Sequence, residues 1–183
     1  MQGVKIVCRG WAFAFSILPD GRRQILSFLL PGDFASTAAV LNERVGISLQ
    51  ALTEVCYCDY DRGDLIDCVR SDSKVFEKFS ELCNTERNEA NEMVTDLGRR
   101  TANQRVARLI LALMARLQER NQVRDGSFEF PLRQQHIADA TGLTPVHVSR
   151  VFSAFRQAGM LAVKGRSLTV QNEAELQRIS SER

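Results

Sequence analysis

The residues best placed to do chemistry lie at positions 131–159, PLRQQHIADATGLTPVHVSRVFSAFRQAG. Val148, Val151, Phe152 and Phe155 follow helical spacing on one face, and Ser149, Arg150, Ser153 and Arg156 fall off that face. A guanidinium presented by such a helix suits the O6/N7 edge of guanine, so the expected chemistry is recognition of a polyanion. The elements that must hold it follow from local rules. Residues 133–141 predict a first short helix with Ile137, Ala138 and Ala140 inward. Gly142 supplies the positive φ of a tight turn, Leu143 plugs the corner, and Thr144 reads as an N-cap with Pro145 at the first helical position. Ala138 is small where two helices would touch, and Val148 is the branched residue that locks the second. A helical hairpin inside a core is the plainer alternative. These three positions in register with a Thr-Pro cap favour a DNA-binding helix-turn-helix instead.

The charge distribution agrees with that placement. The net charge of +2 divides into 10 Lys/Arg against 15 Asp/Glu over residues 1–98, or −5, and 14 against 7 over residues 99–183, or +7. The basic half holds the helix-turn-helix, as binding to phosphates requires. Hydrophobic content of 44% with 25% charged residues is ordinary for a globular protein. No apolar run is long enough for a membrane span, and the N-terminus has no signal-peptide core, so a cytoplasmic protein is expected. Five cysteines, Cys8, Cys56, Cys58, Cys68 and Cys83, are an odd number and do not suggest a disulfide framework. In a strand, Cys56 and Cys58 would share a face with Cα atoms about 6.6 Å apart. Buried or half-buried thiols are the expectation, ahead of a redox or metal role. Both histidines, His136 and His147, lie far along the chain from the cysteines.

Upstream, residues 1–70 read as β structure, with Leu65 and Ile66 beginning the return to helix. Trp11, Phe13, Phe15 and Ile17 alternate with Ala12, Ala14 and Ser16, and Pro19-Asp20-Gly21 marks a hairpin turn into residues 22–30. One helical turn is expected near 35–41 and a further strand over 47–61. From Ser73 the pattern becomes helical. Val75, Phe79, Leu82, Glu86, Ala90, Met93 and Leu97 step by four, three, four, four, three and four, which is near a heptad seam. A second copy of the chain is the expected occupant of that seam. The alternative is one helix lying on its own β domain. Gly98-Arg99-Arg100 reads as a break and hinge. Residues 101–120 form a strongly amphipathic helix with Arg105, Arg108 and Arg116 expected outside. Lys164-Gly165-Arg166 joins two short strands after the helix-turn-helix, which describes a wing with a cationic tip. A short polar helix closes the chain.

With these pieces placed, the sequence resembles the Crp/Fnr superfamily of transcription regulators. Three blocks carry the resemblance, in the family's order: DGRRQILSFLLPGDF at 20–34, LGRRTANQRVARLILAL at 97–113 and IADATGLTPVHVSRVFSAFRQAGML at 137–161. It implies an α+β architecture: a partial antiparallel β-roll sensor domain over 1–72, a dimerisation helix over 73–98 and a winged helix-turn-helix domain over 99–183. It also implies a homodimer on a pseudo-palindromic operator in double-stranded DNA, with RNA polymerase a further partner if the chain is an activator. Relatives carry more strands before the point where this chain starts. The expectation is a start inside the roll, whether as a natural short form, by choice of start codon or as an expressed fragment.

The resemblance also assigns roles. Base-reading positions of the family fall on Pro145, Val146 and Arg150, with Ser149 beside Arg150 as in the oxygen-sensing branch. Arg150 is expected on guanine, Val146 on a thymine methyl, and His147 on a phosphate or base. Arg133 and Thr144 match phosphate-contacting positions, and Lys164 and Arg166 on the wing suit backbone contacts. Where cyclic-nucleotide binders hold ribose with Gly-Glu, this chain has Ser36-Thr37. Where they hold the cyclic phosphate with Arg-Ser, it has Gly46-Ile47, and Arg44 is out of register. Tight cyclic AMP binding is therefore not expected, and the cysteines do not match the iron–sulfur cluster group of the oxygen-sensing branch. No other cofactor and no metal site is expected. Two further classes remain. A β-roll enzyme would need metal-binding histidines, and residues 1–98 hold none; a pure protein-interaction module is disfavoured by the basic C-terminal half. The sequence does not say what signal is sensed, nor whether the chain activates or represses.

Overall fold

A computed structural model describes residues 3–41 and 46–181. Its chain divides into two compact units, Met1–Met93 and Val94–Arg183. In the first, strands β1 (Gly3–Arg9), β2 (Ala12–Ile17) and β3 (Arg23–Leu29) are followed by a four-residue helix α1 (Ala38–Leu41). Strands β4 (Ser48–Ala51) and β5 (Cys56–Asp61) then lead into helix α2 (Arg62–Ser71) and the long helix α3 (Ser73–Arg99). The strands form two open antiparallel sheets, β1–β5 and β3–β2–β4.

The expected hairpin is present. The Leu18 N–H donates to the Arg22 carbonyl at 2.8 Å, and Gly21 turns the chain at φ 83°. The Arg22 backbone N–H donates to Asp20, and its guanidinium does the same, which holds the Asp20 carboxyl below the usual carboxylate range. The alternation in β2 does not become a simple inside–outside pattern. Ala12, Phe13 and Ala14 are all buried, while Ile17 is exposed. Three consecutive buried residues mean that both faces of β2 are covered at its start, and the bulge beside Ala14 and Phe15 falls on the partner strand, where Leu26 is the additional residue.

Other expectations need correction. Residues 47–61 are not one strand: Leu52 and Thr53 donate their N–H groups to the Trp11 carbonyl, and the chain bends from one sheet to the other. The return to helix expected at Leu65 and Ile66 begins slightly earlier, at Arg62, because the Asp61 carboxylate caps α2 by accepting from Gly63 and Asp64. The cysteines are not buried. Cys8, Cys56, Cys58 and Cys68 are exposed and Cys83 is half-buried, since β5 shows solvent every one of its residues.

The seam on α3 is also divided. Phe79 is buried with Val4 and Val40 in its own unit, and Cys83 packs against them. Glu86 accepts hydrogen bonds from the buried Thr37, at 3.0 Å from its N–H and 2.5 Å from its hydroxyl. This stretch of α3 therefore lies on its own β unit. Phe76 and Val94, outside the expected seam, are 57% and 73% exposed. Gly98 lies within α3, which ends at Arg99 and not at the glycine.

The second unit is built on helix α4 (Ala102–Glu119), capped by Thr101 and Gln104 in a reciprocal capping box. Its buried stripe of Val106, Ala107, Ile110, Leu113, Met114 and Leu117 supports strand β6 (Ser127–Glu129), helices α5 (Gln134–Thr141) and α6 (Pro145–Gln157), strands β7 (Leu161–Lys164) and β8 (Ser167–Val170), and helix α7 (Glu173–Ser181). The wing is antiparallel in the order β6–β8–β7. Leu176 anchors α7, which packs on α4. Leu176→Ala should cost about 2–5 kcal/mol in chemical denaturation, as deletion of a fully buried leucine does. The exposed Ile17→Ser should stay within about 0.5 kcal/mol of the parent.

Candidate nucleic-acid interface

The C-terminal unit brings α5, α6 and the wing together around one corner. Gly142 sits at φ 65°, ψ 32° as the C-cap of α5, and its N–H and that of Leu143 both return to the Ala138 carbonyl. A Cβ at 142 would stand 2.8 Å from Leu97 Cδ2, the end of a side chain that can shift, so it is the left-handed conformation that chiefly favours glycine here. Leu97, the last position of the expected seam, therefore belongs to this corner. Arg105, expected on the outside of α4, instead reaches inward: its Nε donates to the Arg100 carbonyl at 2.8 Å and its Nη1 to the Thr141 carbonyl at 3.0 Å. Arg108 donates to Asp96 at 2.9 Å, and Arg100 pairs with the same carboxylate. These arginines hold the scaffold, not a ligand.

Helix α6 starts as its sequence dictates. The Thr144 hydroxyl accepts from the His147 backbone N–H at 3.3 Å, and Pro145 takes the first helical position. Helix α5 starts differently: the Arg133 N–H donates to His136 Nδ1 at 3.1 Å, so this ring nitrogen is engaged in capping. Val148, Val151, Phe152 and Phe155 are buried. Phe130 bridges to the wing, with its ring 6.3 Å from that of Phe152 and 6.1 Å from that of Phe128. Its backbone N–H donates to the Arg166 carbonyl at 2.7 Å, which ties the wing turn to the strand beside α6.

Opposite the buried face, Val146 is 61% exposed, His147 and Arg150 are exposed, and Ser149 is half-buried. Among the described residues nothing pairs with the Arg150 guanidinium. Arg133 and Thr144 are exposed at the starts of α5 and α6, and Lys164 is exposed at the end of β7. Arg166, in the wing turn, is 3.5 Å from the Glu129 carboxylate. That partner was missed from sequence, because Glu129 is distant along the chain and comes close only when β6 pairs with β8. All eight expected residues thus lie in the helix-turn-helix and its wing, with Val146, His147 and Arg150 grouped on the solvent side of α6.

Comparison with known proteins gives this geometry a family. A model of the Crp-like helix-turn-helix domain matches residues 104–179. The chain is 30% identical over 175 residues to the nitrogen fixation regulation protein FixK of Bradyrhizobium diazoefficiens, covering 96% of this chain and 73% of that protein. It is 31% identical over 170 residues to the transcriptional activator protein FnrL of Cereibacter sphaeroides, covering 91% and 67%. The solved structure of FixK2 from Bradyrhizobium japonicum aligns at a TM-score of 0.83 and 28% identity, over 100% of this chain and 89% of that one. A CRP-family regulator from Thermus thermophilus shares the fold at a TM-score of 0.74 and 21% identity, over 99% and 89%. The chain belongs to the Crp/Fnr family. It is a DNA-binding transcription regulator with a cyclic-nucleotide-binding-like N-terminal unit.

Gly142→Ala should lose about 1–2 kcal/mol from backbone strain alone, with a further loss from the Leu97 contact. Thermal melting of the variant beside Thr144→Ala, whose lost cap should cost about 0.5–2 kcal/mol, checks the ranking.

Proposed function

We propose that this regulator binds as a homodimer to a two-fold symmetric site in double-stranded DNA, with α6 of each copy in the major groove. The carrying observation is the Arg150 guanidinium, unpaired among the described residues, on the solvent face of α6. Val146 and His147 flank it, and a fully packed opposite face backs it. Arg150 takes guanine O6 and N7, Val146 packs on a thymine methyl, and His147 and Ser149 add polar contacts. Arg133, Thr144 and Lys164 meet phosphates, and Arg166 joins them by leaving Glu129. Thr144 accepts from the His147 N–H and still has its hydroxyl proton to donate.

Exposed Phe76 and Val94 on α3 favour a second copy of the chain over solvent as the neighbour of that helix. Relatives bearing the word activator support a further contact with RNA polymerase. The protein acts by binding and not by catalysis, in the cytoplasm. No described helix is long and apolar enough to cross a membrane.

The effector is not cyclic AMP on this reading. Thr37, at the place where nucleotide-binding relatives hold ribose, is buried and gives both its donors to Glu86. With both donors engaged by Glu86, Thr37 has none left for a ribose hydroxyl. Arg44 lies outside the described residues. Nor is it an iron–sulfur cluster on this reading, because the cysteines at 8, 56, 58, 68 and 83 do not match the cysteine group of the oxygen-sensing branch.

Arg150→Ala should weaken binding to the selected operator by about 1–3 kcal/mol and relax preference at one guanine per half-site. Equal loss on operator and random DNA would make Arg150 a phosphate contact instead. Lys164→Ala should weaken both alike and lower the slope of log K against log salt by about 1. Footprints should show two protected half-sites about 34–36 Å apart, and sedimentation should give a dimer that Val94→Glu dissociates. Calorimetry with cyclic AMP should show no micromolar site.

A further inference from the structure

The cysteines are not absorbed by DNA recognition, and the fold places two of them together. Strand β1 pairs antiparallel with β5, with Ile6 opposite Cys58 and Arg9 opposite Cys56. The register shifts between Val7 and Arg9, and Cys8 is the additional residue at that bulge. The bulge turns its side chain toward β5, so that Cys8 Sγ and Cys58 Sγ lie 2.7 Å apart, with both residues exposed. Fifty positions separate them in sequence. We propose that Cys8 and Cys58 are a redox-active dithiol that closes to a reversible intramolecular disulfide when a peroxide oxidises it.

The sulfurs need less than about 1 Å of approach to reach bonding distance, and both are open to a small oxidant. A hydrogen bond with Cys58 raises the Cys8 thiol above the ordinary cysteine range, with desolvation adding to it. Cys8 therefore keeps its proton, and the first attack falls to Cys58. The Cys58 thiol gives its proton to solvent and its sulfur attacks one peroxide oxygen; the O–O bond breaks, and the departing hydroxide takes a proton back from solvent, leaving Cys58 sulfenic acid and water. The Cys8 sulfur then attacks the Cys58 sulfur, the S–O bond breaks, and the leaving hydroxide takes the Cys8 proton as a second water. In total two thiols and one hydrogen peroxide give one disulfide and two waters. Two electrons pass from sulfur to oxygen, and an external dithiol reverses the change. Cys56 is two residues along β5 and has no sulfur at this distance among the described residues.

The bond would join β1 to the strand that starts α2, because Asp61 ends β5 and caps that helix through Gly63 and Asp64. Oxidation should therefore slow amide exchange over residues 56–64. Bridges of this kind, between exposed thiols of a protein without a disulfide framework, are transient and sensing in character.

The reduced chain, treated with one equivalent of hydrogen peroxide, blocked with iodoacetamide and digested with trypsin without reductant, tests the pairing directly. The expected product is the peptide of residues 6–9 linked to that of residues 45–62, absent after dithiothreitol. The link should vanish in Cys8→Ser and Cys58→Ser and persist in Cys56→Ser and Cys68→Ser. All four sites are exposed, and circular dichroism confirms that each variant folds. The melting temperature should rise on oxidation of the parent and not of Cys8→Ser. A bridge between Cys56 and Cys58, a link between two chains, or sulfinic acid at Cys58 with no bridge would each overturn the proposal. None of these readouts involves DNA, so the pairing and the DNA reading stand or fall separately.

Discussion

The left-handed corner at Gly142 is the constraint on which the DNA-reading unit depends. The two helices meet there through a left-handed residue, which glycine adopts without strain, and a Cβ in its place would also displace the end of Leu97. Arg105 then closes the corner from beneath, taking the Thr141 carbonyl that the end of α5 leaves unpaired. The result is that the direction of α6, and with it Arg150, is set by α4 and the end of α3 rather than by α6 itself. A buried stripe on one helix thus becomes a placed guanidinium on another.

The arginines of this unit divide by the company they keep. Arg100, Arg105 and Arg108 find carbonyls or the Asp96 carboxylate and serve packing. Arg166 has Glu129 nearby on an exposed strand, a pair that water weakens and that a phosphate can replace. Arg150 faces solvent. The positive charge of the second half is therefore larger than the charge available to DNA, and the salt dependence of binding should reflect the smaller number. In the first unit the same economy appears with opposite sign: Glu86 is held by Thr37, and the exposed strand β5 keeps its thiols at the surface.

Regulators of this kind couple a sensor to a reader, and the two parts differ in how they expose their chemistry. The reader presents a rigid, well-capped helix whose polar face is ready for a partner. The sensor offers a buried threonine already engaged by a carboxylate, and a pair of sulfurs across a bulge. Ligand capture and oxidation ask different things of a fold: the first needs unsatisfied donors in a pocket, the second needs two exposed thiols held close.

What the chain's order of residues determined by itself was local. Helix caps, the positive-φ glycine and the apolar periodicity of residues 101–157 are written within about one turn of where they act, so α4, α5, α6 and the Thr144-Pro145 start were all legible. The hairpin at Asp20-Gly21 was legible for the same reason. Only the tertiary structure decided which polar groups would meet. Sequence placed Arg105 and Arg108 outside, Glu86 and Leu97 on one seam, and the thiols of Cys8, Cys56, Cys58 and Cys68 buried or half-buried. Each was wrong because its partner comes from a distant segment: Thr141 and Asp96, Thr37 and Gly142, and a bulged β1 beside an exposed β5. Periodicity reports which side of an element is apolar, but not which neighbour covers it, and a bulge of one residue is enough to redirect a side chain.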